Sequence, residues 1–134
     1  MTGCETLSPS DPSAVPVLIV DDQAPFRAAA RTVISVTKGF EVTGEAESGA
    51  DGIEQARRLG PALVLMDINL GDMNGIDATR RILDEAPDTV VILLSTYDAG
   101  DLPADAASCG AAAYVHKEDF SPAEVRRVWD ARVG

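Results

Sequence analysis

Two rhythms alternate along the chain. Apolar runs unbroken by any polar residue, Val15–Val20 (interrupted only by Pro16), Leu63–Met66 and Val90–Leu94, are separated by stretches in which apolar residues return every three or four positions. The unbroken runs predict strands buried on both faces, and the spaced stretches predict helices with one apolar side. Phe40–Ala46, with Val42 between polar residues, is a weaker second strand, and Ala111–Val115 is a short fifth. Helical faces follow from Phe26, Ala30, Val33 and Ile34, from Ile53, Ala56 and Leu59 before Gly60-Pro61, and from Ile76, Thr79, Ile82 and Leu83 before Pro87. The last helix opens on Ser121-Pro122-Ala123-Glu124, proline in the first turn and glutamate at the third position, and carries Val125, Val128, Trp129 and Val133 on one side. The segment Asp101–Cys109 is the poorest helix: Pro103 fits only its first turn and its apolar stripe is mostly alanine. Strand and helix thus alternate five times. This pattern predicts an α/β fold with a parallel, doubly wound sheet covered on both faces and joined by right-handed crossovers.

Composition narrows the picture. A chain of 134 residues, 46% hydrophobic and 25% charged, is expected to form one domain with one core. Residues 1–14, with Ser8-Pro9-Ser10-Asp11-Pro12-Ser13, read as a flexible tail, and 15–134 as the domain. No apolar run approaches the roughly 20 residues of a membrane span, and Met1–Ser10 lacks the basic start and apolar centre of a signal peptide. Cys4 and Cys109 without a secretion signal suggest a reducing, cytoplasmic setting. The net charge of −11 argues against gripping phosphate backbones, so no direct nucleic-acid binding is expected; it favours basic partners and cations.

In a parallel sheet every strand points its carboxyl end to one edge, where ligands bind. The residues that follow the predicted strands are Asp21 and Asp22, then Asp67, then Ser95 and Thr96, then Lys117. One Asp ending a strand is usually a turn or helix cap. Three converging on one edge are different, because two carboxylates about 5 Å apart repel by roughly 3 kcal/mol at an effective dielectric near 20. Such a group needs cations. Lys117 supplies one charge, and a hard divalent ion of the Mg²⁺ type, held by one or two carboxylates, a carbonyl and waters, would supply the rest. An ion of that kind also clamps phosphoryl oxygens.

These residues also carry a resemblance. Asp21-Asp22, Met66-Asp67-Ile68-Asn69-Leu70 with Met73-Asn74-Gly75, Leu94-Ser95, and Gly110-Ala111 with Lys117 resemble the receiver domain of bacterial two-component response regulators, with the feel of NarL/LuxR-type receivers. The match spans residues 15 to about 133. It implies the flavodoxin-like strand order 2-1-3-4-5. Asp67 would be the phosphoacceptor, forming an aspartyl phosphate. Asp22, Asp67 and the backbone carbonyl of Asn69 would hold Mg²⁺, with Asp21 assisting. Ser95 and Lys117 would bind the phosphoryl group, Thr96 being the alternative hydroxyl. Tyr114 would be the switch aromatic, and Asn69 and Tyr97 would tune the lifetime of the phosphoryl group. The donor would be a histidine kinase or phosphotransfer protein, and a homodimer or another partner would read the switch. The motif from Gly75 to Arg81 is similar to receivers joined to a helix-turn-helix output domain, so a receiver standing alone and the N-terminal part of a transcriptional regulator are both open.

The sequence departs from the family's pattern in three places. Gly71 replaces a common proline, which predicts a looser loop after Asp67. Glu118 replaces the proline that often follows the lysine, so a cis peptide there would be non-prolyl and cost about 3 kcal/mol. The poor helix over Asp101–Cys109 weakens contacts expected through it. Among other residues, His116 reads as surface or half-buried, Cys109 and Trp129 as packing residues, and Arg80-Arg81 and Arg126-Arg127 as solvated faces. Two further functions compete. A phosphorylation-independent pseudo-receiver would be expected to lose one of the acidic or lysine positions, and all are present. A Mg²⁺-dependent aspartyl phosphatase would want a second Asp where Asn69 stands.

Overall fold

The computed structural model describes residues 14–96 and 109–132. Strands β1 (Val15–Val20), β2 (Phe40–Ala46), β3 (Leu63–Asp67), β4 (Val90–Ser95) and β5 (Ala113–His116) form one parallel sheet in the order β2-β1-β3-β4-β5. Among the described residues the helices are α1 (Ala24–Ser35), α2 (Gly49–Leu59), α3 (Gly75–Glu85) and α4 (Pro122–Ala131), with one turn of 3-10 helix at Lys117–Asp119.

The two-residue period of a strand sends alternate side chains to opposite faces. Leu18, Val20, Val64, Met66, Val91 and Leu93 pack on one side with Ile53 from α2 and Ile76 and Ile82 from α3. Val17, Ile19, Leu63, Leu65, Ile92 and Leu94 pack on the other with Ala30 and Ile34 from α1 and Val125 and Val128 from α4. Each fully buried Leu, Ile or Val contributes roughly 1.5–3 kcal/mol relative to exposure, which is why both faces of the sheet carry helices. Trp129 packs edge-on against Phe40 at 5.8 Å, tying α4 to the start of β2.

α2, α3 and α4 begin where side chains satisfy their free N–H groups. Ser48 accepts from Asp51 N (3.1 Å), Asn74 from Ile76 N (2.7 Å) and Ser121 from Glu124 N (3.3 Å). Gly60, at φ 60°, closes α2 in the left-handed conformation that favours glycine. Gly75 is required for another reason. A Cβ there would lie 2.0 Å from the backbone oxygen of Asp67, so only glycine lets α3 start against the end of β3.

The structure differs from the sequence reading at several points. β3 and β4 each run one residue further, so Asp67 and Ser95 are last residues of strands, not residues after them. β5 begins at Ala113 instead of Ala111: Gly110 has φ 98°, and the ladder with β4 starts at Ile92↔Ala113. The loop after Asp67 is pinned despite Gly71. Asn69 bridges to Asn74, Gly75 N donates to the Ile68 carbonyl (2.8 Å), and Asp72 accepts from Gly49 N and Ala50 N at the start of α2. No cis peptide occurs among the described residues, so Lys117–Glu118 is trans. Arg126 is not simply solvated: its guanidinium lies 5.0 Å from the Phe40 ring centre and donates to the Lys38 carbonyl. The predicted tail, the helix predicted up to Cys109, and Val133 lie outside the described residues, apart from Ala14 and Cys109; Cys109 is buried.

One buried polar atom stands apart from the site. Thr79 on α3 is fully buried, and its Oγ1 has no hydrogen-bond partner. A desolvated hydroxyl without a partner costs more than a methyl of the same shape. Thr79→Val is therefore expected to stabilise the protein by about 1 kcal/mol, raising Tm by roughly 3–5 °C. Thermal unfolding followed by circular dichroism checks this, and an unchanged or lower Tm would show that the hydroxyl is satisfied in solution.

Candidate functional site

The carboxyl edge of the sheet gathers the polar residues. β1 ends at Val20 and delivers Asp21, 1% exposed, and Asp22, which is exposed. β3 ends on Asp67 (4% exposed) and β4 on Ser95 (3% exposed). Lys117 stands at the start of the 3-10 turn directly after β5. Asp67 continues the alternation of Leu63 and Leu65, while Ser95 continues that of Val91 and Leu93. The acid and the hydroxyl therefore reach the edge from opposite faces of the sheet.

Lys117 is drawn in by charge. Its Nζ lies 2.7 Å from Asp21 Oδ2, 3.5 Å from Asp67 Oδ2 and 4.5 Å from the centre of the Phe26 ring. The backbone orients the other carboxylate oxygens: Gln23 N donates to Asp21 Oδ1 (2.7 Å) and Asn69 N to Asp67 Oδ1 (3.2 Å). Arg27 donates to the Asp21 carbonyl (2.7 Å) and stands 3.6 Å from Glu45, fixing the chain at the end of β1.

The charges do not balance. Asp21, Asp22 and Asp67 each offer an oxygen within 4.8 Å of the others. Three carboxylates against the one ammonium leave a deficit of two positive charges. Burial, and then the neighbouring Asp21 charge, push the Asp67 carboxyl up to about 6; Lys117 and the Asn69 N–H pull the other way without cancelling them. Asp21 Oδ2 is buried and lies 2.7 Å from the Lys117 ammonium, which also serves Asp67. Three hard carboxylates sharing one ammonium, two positive charges short, fit a Mg²⁺-type cation.

The remaining residues named from sequence fall around this group. Asn69, exposed, begins the pinned loop. Thr96 is exposed, and its carbonyl meets the imidazole Nε2 of His116 at 3.1 Å. Tyr114 pairs with Leu93 across the sheet and is 40% exposed. Tyr97 lies outside the described residues. Sequence reasoning missed three supporting residues: Phe26 under the ammonium, Arg27 at the end of β1, and His116. Phe26 looks in sequence like one more apolar helix position, and a lone histidine carries no spacing signal.

Comparison with known proteins completes the description. The family model described as "Response regulator receiver domain" matches residues 17–128. The response regulator UvrY of Escherichia coli (strain K12) is 37% identical over 109 residues, covering 81% of this chain and 50% of UvrY. The transcriptional regulatory protein DegU of Brevibacillus brevis is 31% identical over 114 residues, covering 85% of this chain and 48% of DegU. The chain thus spans about half the length of these relatives. Among solved structures, the receiver domain of the response regulator NarL from Mycobacterium tuberculosis aligns with a TM-score of 0.81 at 29% identity, covering 92% of this chain and 99% of that one. The response regulator domain of Thermotoga maritima CheB aligns at 0.79 and 26% identity, covering 90% and 98%.

Proposed function

The chain belongs to the response regulator receiver family of two-component signalling, and on that premise we propose that it is switched by phosphorylation of Asp67. The observation that carries the reading is the buried Asp67 carboxylate, aligned by the Asn69 N–H and set beside an ammonium and two further carboxylates. A carboxylate oxygen of Asp67 attacks phosphorus and forms the O–P bond. The bond from phosphorus to the donor breaks, and the leaving group takes its electron pair and a proton. Lys117 pairs with a phosphoryl oxygen and offsets the charge it brings. Ser95, with Thr96 as the alternative, donates its hydroxyl to another.

Asp22, Asp67 and the Asn69 carbonyl are proposed to hold Mg²⁺, with Asp21 assisting. Bound there, the ion neutralises the approaching phosphoryl oxygens. Asn69 and Tyr97 are proposed to set how long the group lasts, and Tyr114 to turn with the Ser95 hydroxyl. The chain acts as a switch, with transfer and hydrolysis confined to its own Asp67. The donor is a histidine kinase or phosphotransfer protein, and a second copy or another partner reads the altered surface. No helix among the described residues is long and apolar enough to cross a membrane.

Intact-mass spectrometry tests the reading. With acetyl phosphate and Mg²⁺ the protein is expected to gain one phosphoryl group, and with EDTA in place of Mg²⁺ to gain none. No gain with Mg²⁺ present, or equal gain with EDTA, would overturn it.

A further inference from the structure

Ser95 at the end of β4 and Lys117 in the turn after β5 are the two groups proposed to grip the phosphoryl oxygens. One side chain joins the backbone just past each of them. His116, paired with Ser95 across the sheet, places Nε2 3.1 Å from the carbonyl oxygen of Thr96. Its Nδ1 accepts from the backbone N–H of Glu118 at 3.1 Å. A ring nitrogen that accepts an N–H cannot carry the proton, so the pair of bonds assigns the proton to Nε2 and makes Nε2 the donor to Thr96.

The arrangement brackets both residues. Thr96 directly follows Ser95, and the imidazole holds its carbonyl. Glu118 directly follows Lys117 and, unlike a proline, has an N–H that needs a partner; His116 also caps the 3-10 turn at whose head Lys117 stands. The two strands stop pairing at Ser95↔His116, so the β4–β5 ladder holds the backbone of Ser95 but reaches neither Thr96 nor Lys117.

We propose that His116 is a positioning residue that clamps the Ser95–Thr96 turn to the Lys117 turn through a neutral imidazole, setting the spacing at which hydroxyl and ammonium meet the phosphoryl group. The inference rests on the reading of Asp67 as phosphoacceptor. The clamp touches neither phosphorus nor metal. It removes freedom from two groups that must act together, an effect that appears in rate.

Two measurements on the whole protein test it. The ¹⁵N shifts of the imidazole are expected to show a neutral ring protonated at Nε2; a ring protonated at Nδ1 would overturn the clamp. Rates of Asp67 phosphorylation from acetyl phosphate with Mg²⁺ are then compared for three variants. His116→Gln puts an amide donor near the position of Nε2 and keeps the bond to Thr96. His116→Asn puts an acceptor near Nδ1 and keeps only the bond to Glu118. His116→Leu keeps neither. Leu and Asn are expected to slow phosphorylation about tenfold, the equivalent of about 1.4 kcal/mol in the barrier, and Gln to stay within roughly threefold of wild type. Thermal melts of all four accompany the rates. Equal rates in all four, or losses that follow Tm instead of the retained bond, would overturn the proposal. Failure of the underlying reading looks different: wild type itself then takes up no phosphoryl group, and the proposal falls with it whatever the ring's tautomer.

Discussion

Asp67→Asn is expected to take up no phosphoryl group from acetyl phosphate and Mg²⁺, and to be more stable than wild type at neutral pH. The first effect is all or none, because an uncharged amide is not the nucleophile a carboxylate is. The second follows from the pKa. Burial and Asp21 raise the folded-state carboxyl from 3.8 to about 6. Below about pH 4 both folded and unfolded states hold this proton, and the group costs nothing. As pH rises from about 4 to about 6 the unfolded state gives up this proton while the folded state still holds it, so stability is lost across that window and levels off above it. After allowance for solvent screening at the open edge of the sheet, the loss at pH 7 is on the order of 1–2 kcal/mol. Asparagine carries no such cost. Urea unfolding of both proteins from pH 4.5 to 7.5 is expected to show the gap in favour of Asp67→Asn widening between pH 4.5 and 6.5 and then levelling. A gap independent of pH would show that Asp67 is not strained by its charge. Mg²⁺ is expected to narrow the gap, since it compensates the carboxylate and finds less to bind in the variant.

Lys117→Met is expected to cost roughly 3 kcal/mol of stability without Mg²⁺, the usual scale for removing one partner of a buried ion pair. The variant leaves Asp21, 1% exposed, and Asp67, 4% exposed, with no side-chain counter-charge within contact among the described residues. Part of the loss returns as Asp67 takes up a proton more readily, so the pH dependence of stability steepens. Mg²⁺ is expected to stabilise Lys117→Met more than wild type, because the deficit of positive charge has grown. Phosphoryl uptake falls by about tenfold or more, a fixed charge being lost where the incoming oxygens arrive. Urea melts with and without Mg²⁺ read the stability terms. If the variant does not fold alone, the same change in an Asp67→Asn background is expected to cost less, since one of the repelling carboxylates is gone. Equal costs in both backgrounds would show that Lys117 and Asp67 do not interact.

Much of this architecture is legible in the chain itself. Val15–Val20, Leu63–Met66 and Val90–Leu94 read as buried strands because β-branched and aliphatic residues without polar interruption cannot sit on a half-solvated sheet. Ser121 marks the start of the last helix because a short polar side chain satisfies a free N–H locally. Ser95 and Lys117, far apart in sequence, are placed on one edge by a rule of parallel sheets and by nothing in their own neighbourhoods. The chain suggests a β5 that starts two residues early and stops one short of His116, because Ala111-Ala112 is apolar enough for a strand and only the turn at Gly110 excludes it. The loop after Asp67 looks loose from the chain alone because a missing proline is visible in sequence, whereas Asp72 reaching the start of α2 is not.

The elements, their alternation and the identity of the residues at the carboxyl edge are written in the chain, because hydrophobic period and capping act over a few residues. Only in the folded chain does it emerge which of those residues are buried, which carboxylate is raised and which two carboxylates share the ammonium. Only there does a lone histidine reach two turns and a helix phenylalanine lie under an ammonium. Those properties depend on distances of a few ångströms between residues tens of positions apart. Coulomb and hydrogen-bond energies change steeply over such distances, and no local pattern records them.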